Sequence, residues 1–397
     1  MPASFHRLAA AVLAAAAALP ALANPVQITP GGSFFNSYAA SVSDNGQRIA
    51  FYSASNITGA NTDNSFEIYL YDRPTNTVTQ VSNFGGGALA GGNQVPVLSG
   101  DGNRLSYQHF ETQPNNTVNF QTVLYDHTTK ASTTVTPMAL FGGTNELSRD
   151  GKTIAVATGN TGLRLYDTAT GVLGGTIAGN TFGTAMSRDG SRIALETFGA
   201  LSVKDLQTNT TINITGSGAG FNLHPDFSDD GSKLAFTSTY DPLGTNADHS
   251  AEVFLYDLTT NSVRQLTASS GNVNTSSGVS LSANGSRVAF SSSADLLGTN
   301  ADGNQEIFVY DLVTNVLQQV TQTSGGDYNF EAALSGDGLT LAFTSSADFS
   351  GSNGRHVPQI FFETLAPSTT VPEPASLALV LVAAAAGWGA RRVPRRA

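Results

Sequence analysis

The 397-residue chain contains no cysteine, which excludes disulfides, thiol catalysis and thiolate metal sites. Charged residues make up only 12% of it, about half the share in an average soluble domain. Its single tryptophan, Trp388, lies near the C-terminus, so the body lacks the indole platform common in carbohydrate sites. Forty-one glycines and many Ser, Thr and Asn residues replace the missing charges. This composition is typical of short strands joined by many turns.

Familiar catalytic signatures are also missing from the sequence. It has no Gly-x-Ser-x-Gly nucleophile elbow and no Gly-rich phosphate loop ending in Lys-Ser/Thr. Asp229-Asp230 lies in a turn and is interpreted as a pair of turn residues. His224, which precedes Pro225-Asp226, could approach the central channel if the chain folds as a propeller. The histidines of the body are scattered without zinc-binding spacing: His109, His127, His224, His249 and His356.

The charge balance argues against one class of partner. The formal net charge is −11, but five arginines lie in the terminal segments, so the body between residues 24 and 370 is near −15. Such a surface repels phosphate backbones, so we expect no nucleic-acid ligand. It favours cations or neutral polymers.

A phrase that recurs seven times predicts the architecture. It consists of a Ser-x-Asp/Asn-Gly turn, a short apolar strand, a loop and an aromatic-Asp pair. Successive turn glycines are 39 to 56 residues apart, a period typical of propeller blades with four strands each. The turn glycines are Gly46, Gly102, Gly151, Gly190, Gly231, Gly285 and Gly338.

The strands within each repeat alternate large and small apolar residues, as in Arg48-Ile49-Ala50-Phe51, which suits strands packed between neighbouring blades. In pairs such as Tyr71-Asp72 we expect the ring to fill the core between blades and the carboxylate to bind turn amides. The last repeat ends at Phe362-Glu363 without a final strand. Val26-Gln27-Ile28-Thr29 matches that strand type and precedes the first repeat. We therefore predict an all-β, seven-bladed propeller of four-stranded antiparallel blades, closed by the N-terminal strand.

These phrases resemble the TolB-like, WD40-like propeller repeats, in which a Ser-Pro-Asp-Gly turn, an apolar strand and a Tyr-Asp pair recur. The resemblance covers roughly residues 26–365. This chain lacks the proline in every turn, and Lys204 replaces the aromatic residue in blade 4.

The two ends have the composition of targeting segments. Residues 1–23 combine Arg7, an apolar run over 8–19 and Ala21-Leu22-Ala23, which predicts a cleavable signal peptide followed by a propeller domain over 24–366. Residues 367–374 form a linker that ends in Pro372-Glu373-Pro374. Residues 375–397 contain an apolar stretch, predicted as a transmembrane helix, and a basic tail of four arginines.

The Pro-Glu-Pro sequence, apolar helix and terminal arginines resemble the PEP-CTERM sorting signal over residues 371–397. The resemblance implies a Gram-negative bacterium that makes exopolysaccharide, processing by an exosortase near the Pro-Glu-Pro sequence, and release to the cell surface or matrix. A plain membrane anchor is the alternative and predicts the same side of the membrane.

Three loops carry oxygen ligands at alternate positions, in the pattern Asn-x-Asp-x-Ser/Asn-x-Glu. Such spacing suits a hard cation such as Ca²⁺, and the loops of neighbouring blades 5 and 6 should share one acidic face. The alternative is a set of Asx-turns, with the glutamate starting the next strand. The candidate ligands are Asn61, Asp63 and Glu67, then Asn246, Asp248 and Glu252, and finally Asn300, Asp302, Asn304 and Glu306.

We therefore predict an exported propeller that acts as a non-enzymatic binding or scaffolding module for a polysaccharide or surface protein. The alternative is a propeller enzyme, a polysaccharide lyase or hydrolase, with its site in the central channel. Converging carboxylates in the channel would favour the enzyme, and a featureless channel would favour the binding module.

Overall fold

The computed structural model describes residues 24–30, 35–87, 90–139, 145–157, 162–179, 181, 183–197, 199–215, 221–270 and 275–368. They form seven four-stranded antiparallel sheets, which confirms the predicted seven-bladed propeller. The predicted signal peptide and the terminal helix lie outside the described residues. Within the described ranges, no helix is long and apolar enough to cross a membrane.

The first strand of each blade lies innermost, where it contacts the first strands of neighbouring blades. Strand β1 (Val26–Gln27) precedes the first blade and belongs to the last. Blade 1 consists of β2 (Ser37–Val42), β3 (Arg48–Ser53), β4 (Glu67–Asp72) and β5 (Thr77–Gln80). Blade 2 consists of β6 (Gly91–Leu98), β7 (Arg104–Thr112), β8 (Val118–Asp126) and β9 (Ala131–Thr134). Blade 3 consists of β10 (Asn145–Leu147), β11 (Thr153–Ala157), β12 (Leu163–Asp167) and β13 (Val172–Ala178).

The remaining blades repeat this order. Blade 4 consists of β14 (Gly183–Met186), β15 (Arg192–Thr197), β16 (Ala200–Asp205) and β17 (Thr210–Asn213). Blade 5 consists of β18 (Asn222–Phe227), β19 (Lys233–Ser238), β20 (Glu252–Asp257) and β21 (Ser262–Gln265). Blade 6 consists of β22 (Thr275–Leu281), β23 (Arg287–Ser292), β24 (Glu306–Asp311) and β25 (Val316–Gln319). Blade 7 consists of β26 (Asn329–Leu334), β27 (Thr340–Ser345), β28 (Gln359–Thr364) and then β1.

The recurring turn joins the first and second strands of each blade. In blade 1, Ser43 Oγ donates to Asn45 Oδ1 at 2.9 Å and accepts from the Arg48 amide at 3.0 Å. Gly46 closes the turn at a φ of 65°, a conformation that glycine adopts without a Cβ penalty. Both serine bonds recur in the other blades, at Ser99, Ser148, Ser187, Ser228, Ser282 and Ser335.

The hydrophobic core is divided among the interfaces between blades. Ile49 and Phe51 on β3 pack against the blade 7 side, in one buried cluster with Phe362, whereas Ala50 packs against the blade 2 side with Leu105. The alternation of large and small residues thus fills two different interfaces, as predicted. The aromatic-Asp pairs also behave as expected in blade 1, where the Tyr71 ring is buried in this core. The Asp72 carboxylate accepts the Thr75 amide at 3.2 Å and faces Arg48 at 3.5 Å.

The N-terminal strand closes the ring, as the orphan Val-Gln-Ile-Thr segment predicted. Strand β1 pairs with β28, with Val26 opposite Phe362. The Ile28 amide then donates to the Ile360 carbonyl at 2.8 Å, and the Ile360 amide donates to Thr29 Oγ1 at 3.1 Å. Blade 7 therefore combines strands from both ends of the propeller and has no open outer edge at β28.

Deleting residues 24–30 is expected to lower the free energy of unfolding by about 2–4 kcal/mol, the value of a few hydrogen bonds and buried side chains. The buried Thr29 and the pairing of β28 would be lost together. Urea unfolding followed by circular dichroism measures the change. The control is Val26→Ala, whose side chain is half exposed and which should change stability by less than about 0.5 kcal/mol. An unchanged urea midpoint for the deletion would show that closure contributes no stability.

Candidate functional site

The seven turn serines give a common register for the side chains around the axis. The residue that follows each serine forms what we call the turn ring: Asp44, Gly100, Arg149, Arg188, Asp229, Ala283 and Gly336. The residue two positions before each serine lines the central channel and forms what we call the wall ring: Ser41, Val97, Glu146, Ala185, Asp226, Ser280 and Ala333. Functional differences between the blades are therefore visible as differences within these two rings.

The turn ring is held together across blade boundaries. The Asp44 amide donates to the Gly100 carbonyl at 2.7 Å, and the Gly100 amide donates to the Arg149 carbonyl at 2.6 Å. Similar backbone bonds join blades 3 and 4, 5 and 6, 6 and 7, and 7 and 1. The turns thus meet around the axis at one face of the propeller.

Four charged side chains of the turn ring form an axial ion-pair cluster, namely Asp44, Arg149, Arg188 and Asp229. Arg149 lies 2.7 Å from Asp44 and 3.5 Å from Asp229, and Arg188 lies 2.8 Å from Asp44 and 2.5 Å from Asp229. In a ring of seven, blade 1 lies opposite blades 4 and 5, so the pairs of Asp44 with Arg188 cross the axis. The cluster therefore closes the channel at this face.

Small neighbours make room for this cluster. A Cβ on Gly100 would lie 2.1 Å from Asp44 Oδ2, which no side chain tolerates. Glycine at position 100 therefore leaves the space that the Asp44 carboxylate occupies.

Above the cluster lies a cavity of about 280 Å³ lined by the wall ring, with Arg149 at its floor. Only two members of the wall ring are ionisable, Glu146 and Asp226. Burial, with a smaller contribution from the charge of Asp226, raises the pKa of Glu146 to about 8. Burial raises the pKa of Asp226 to about 6, although Arg149 opposes this. At neutral pH Glu146 is therefore mainly protonated and Asp226 mainly ionised.

Asp226 also has a structural role. Its Oδ2 accepts the Leu281 amide of the next blade at 2.7 Å. Ser41 and Ser280 make the same bond from the same register, to the amides of Leu98 at 2.9 Å and Leu334 at 3.0 Å. A serine at position 226 would thus keep the bond between blades and remove the charge.

Further titratable groups lie toward the other end of the channel. The innermost strands of blades 5 and 7 bulge there, and His224 and Glu331 adopt positive φ angles of 49° and 56° at these bulges. His224 lines the cavity, as the sequence suggested, and burial lowers its pKa. Its amide bonds Glu196, whose pKa burial raises to about 7. Glu331 Oε2 accepts the Ala39 amide at 2.6 Å, which links blade 7 to blade 1.

Five aromatic rings form a continuous row at the ends of the inner strands remote from the turns. We call it the aromatic row; in order it contains Phe66, Tyr52, Tyr38, Phe330 and Tyr328. Successive ring centroids are 5.4, 5.6, 6.0 and 5.5 Å apart, and Phe66 also lies 6.5 Å from Tyr38, so the row begins as a cluster of three rings. Four of the rings are partly buried, and Tyr328 is 39% exposed. The row crosses the junction of blades 7 and 1 beside Glu331. Burial, with a smaller contribution from the charge of Glu331, raises the pKa of Tyr38 and Tyr52 above the ordinary value.

The structure places the predicted calcium ligands in three equivalent loops, but their glutamates are buried and do not form an exposed acidic face. Glu306 is fully buried and accepts bonds from four donors on Thr321, Thr323 and Asn329. Glu67 and Glu252 also accept four bonds each.

The asparagines of these loops brace the backbone. Asn300 Nδ2 donates to the Asn304 carbonyl at 3.0 Å, and Asn61 and Asn246 bond the carbonyls of Ser65 and Ser250 in the same way. Asp63 accepts the Gly87 amide at 2.8 Å, whereas Asp248 and Asp302 are exposed. Among the described residues no three His, Asp or Glu side chains converge as a metal site. Calcium binding at these loops remains a prediction.

Blade 7 contains a fourth such loop that the pattern did not identify. Asn353 donates to the Val357 carbonyl at 2.9 Å, and the buried Gln359 occupies the position of the glutamates. The same brace is therefore built there with a neutral side chain at the strand start.

Sequence reasoning also missed the axial ion-pair cluster and Glu146. The x position of the Ser-x-Asp/Asn-Gly turn was treated as variable, and Asp229 was interpreted as a turn residue only. The detectable signal was the charge at that position, because it is occupied by two aspartates and two arginines in different blades.

No family model matches the chain, and no curated protein matches it. Solved structures do resemble it in fold. An oligogalacturonate lyase in complex with manganese is 16% identical with a TM-score of 0.57, over 86% of this chain and 92% of that one. The oligogalacturonate lyase of Vibrio parahaemolyticus is 14% identical with a TM-score of 0.57, over 87% and 93%. The propeller domain of the Trilobed protease from Pyrococcus furiosus, described as having an open velcro topology, is 10% identical with a TM-score of 0.58, over 86% and 99%. At these identities the likeness shows the propeller fold alone.

Proposed function

We propose that this chain is an exported propeller that acts as a non-enzymatic binding or scaffolding module, with its ligand at the end of the channel remote from the turns. The observation that carries the proposal is the asymmetry of the channel. The axial ion-pair cluster closes one face, whereas aromatic rings and the titratable groups His224 and Glu331 lie toward the other. A ligand can therefore approach from one side only.

The dimensions favour binding at the rim. The cavity of about 280 Å³ is slightly below the usual range of ligand pockets, about 300–1,000 Å³. A polymer cannot thread through a channel that Arg149 and Arg188 close with their aspartate partners. Only a chain end or a single side group would enter, so a polymeric ligand would make most of its contacts outside the cavity.

Export is part of the proposal. The signal peptide at 1–23 and the PEP-CTERM-like tail at 371–397 support secretion, exosortase processing and a final place at the surface or in the matrix of a Gram-negative bacterium. The TolB-like repeat assignment belongs to the same proposal and rests on the recurring turn and Tyr-Asp phrases.

A propeller enzyme is the second candidate, and one observation favours it. Glu146 and Asp226 face the same cavity with pKa values raised to about 8 and about 6. Groups with separated pKa values can serve as acid and base in polysaccharide cleavage by a lyase or hydrolase. The bond from Asp226 to the Leu281 amide gives that carboxylate a structural explanation as well.

One experiment on extracted surface material tests both candidates. Mass spectrometry should find the protein there without residues 1–23, and purified protein should bind the extracted polymers without shortening them. Recovery of the intact chain from cytosol, or no binding to any surface polymer or protein, would overturn the proposed function. Release of shortened products that disappears in Glu146→Gln would establish the enzyme instead.

A further inference from the structure

The aromatic row differs from the ring pairs of the buried core because it reaches solvent. The ring pairs that fill the interfaces between blades, such as Phe290 with Phe308 and Phe236 with Phe254, are fully buried. By contrast, Tyr328 is 39% exposed, and the other four rings of the row are only partly buried. Core packing therefore does not account for the whole area of these rings.

Polar groups are interspersed along the row. Asn36 Nδ2 donates to the Tyr38 hydroxyl, and Asp327 Oδ1 accepts a bond from Ser346 at 2.9 Å. Near the middle of the row, Glu331 Oε2 accepts hydrogen bonds from the Ala39 amide and the Thr344 hydroxyl. The row thus places aromatic rings beside hydroxyl and carboxyl groups whose positions are fixed by hydrogen bonds. Such a surface suits a ligand with apolar C–H faces and hydroxyl groups around its edge, as a sugar ring has.

Charge selects among such ligands. The chain has a net charge of −11, and Asp327 and Glu331 are the acids beside the row. His356 already pairs with Asp327 at 2.8 Å. An anionic polymer such as a polyuronate would meet repulsion here, whereas an uncharged polymer would not.

We propose that the aromatic row is the binding site for an uncharged polysaccharide, which packs against the apolar surface formed by Tyr328, Phe330 and Tyr38. The inference rests on the proposed function and specifies its ligand class. The rings of Tyr328 and Phe330 are stacked at 28° with their centroids 5.5 Å apart, and the centroids of Phe330 and Tyr38 are 6.0 Å apart. The three rings therefore form one contiguous apolar surface against which the C–H face of a sugar ring can pack.

The test uses the full-length protein, with affinity electrophoresis in gels that contain dextran, galactomannan or polygalacturonate. Tyr328→Ala and Phe330→Ala are the variants. The matched control is Phe221→Ala, because Phe221 is 50% exposed and stands at the same repeat position in blade 5, where its amide bonds Thr239 as that of Tyr328 bonds Ser346. We expect each row variant to weaken binding of a neutral polymer about tenfold, as loss of one stacked ring would.

Thermal melting confirms that each variant is folded, and size-exclusion chromatography records its oligomeric state. Binding that is equal in Tyr328→Ala, Phe330→Ala and Phe221→Ala overturns this inference and leaves the proposed function standing. Equal binding of polygalacturonate overturns the selection for uncharged chains. A dimer that the row variants dissociate would assign the row to a contact between copies. Failure of the wild-type protein to bind any polymer or surface component overturns the proposed function itself.

Discussion

Replacing Glu306 by alanine is expected to lower the free energy of unfolding by about 3–5 kcal/mol, the usual cost of leaving several buried donors unpaired. The side chain is fully buried, and its two oxygens accept bonds from the hydroxyls of Thr321 and Thr323, the Thr323 amide and the Asn329 side chain. The bond to Asn329 reaches the next blade, so the loss should affect two blades. Urea unfolding followed by circular dichroism measures it.

Glu306→Gln separates the contribution of the negative charge to stability from that of the side-chain shape. Blade 7 already uses Gln359 at this position, and the two threonine hydroxyls can turn to accept from an amide. We expect a smaller loss, about 1–2 kcal/mol. Equal stability of the alanine variant and the wild type would contradict the role of the carboxylate in holding the loop.

A variant of the same loop tests calcium binding. Asp302 is exposed in the blade 6 loop, and Asp302→Ala should by itself change stability by less than about 0.5 kcal/mol. If the predicted loops bind calcium, millimolar calcium raises the melting temperature of the wild type above its value in chelator, and Asp302→Ala reduces the difference because one of the three loops loses a ligand. Identical melting temperatures would leave the loops as backbone braces only.

The second large effect is expected from Glu146→Gln, and it depends on pH. The pKa of Glu146 is raised to about 8 in the folded chain from an ordinary value of 4.5. Between these values the folded state binds the proton and the unfolded state releases it, so stability falls as pH rises from about 4.5 to 8. Glutamine removes this slope.

We therefore expect the variant to equal the wild type near pH 4 and to exceed it by about 2–4 kcal/mol at pH 9. Urea midpoints across this range measure the difference. Asp226→Ser is the matched variant, because serine can keep the bond to the Leu281 amide. The pKa of Asp226 is raised less than that of Glu146, to about 6. The gain in this variant should be smaller and complete by about pH 7. Parallel pH profiles for wild type and Glu146→Gln would contradict a buried protonated carboxyl.

The blade count, the strand order and the closure by Val26-Gln27-Ile28-Thr29 could be predicted from sequence because they depend on local, repeated chemistry. Each turn needs a serine, a short acceptor and a glycine at fixed spacing, and each strand alternates large and small residues. The outer strand of blade 7 could be predicted because a sheet with a missing strand leaves an unpaired edge.

The channel could not be predicted in the same way. The cluster of Asp44 with Arg188 joins residues 144 positions apart, and their spacing in sequence carries no sign of contact. Glu146 lies in a three-residue strand that gives little periodic signal. The pattern found the right loop residues around Glu306, but the same alternation of oxygens suits either a cation or backbone donors. Only burial shows that the glutamates face the donors.

The axial ion-pair cluster makes the seven blades distinguishable from one another at the centre of the ring. Arginines come from blades 3 and 4 and aspartates from blades 1 and 5, so each arginine pairs with both aspartates. A circular permutant that starts at any blade preserves this arrangement, whereas exchanging a charged blade with an uncharged one would move a charge away from its partners. Repeat arrays usually lengthen by duplication of a unit, but an eighth blade here would widen the ring and separate Asp44 from Arg188. The cluster thus favours a ring of seven blades in this order.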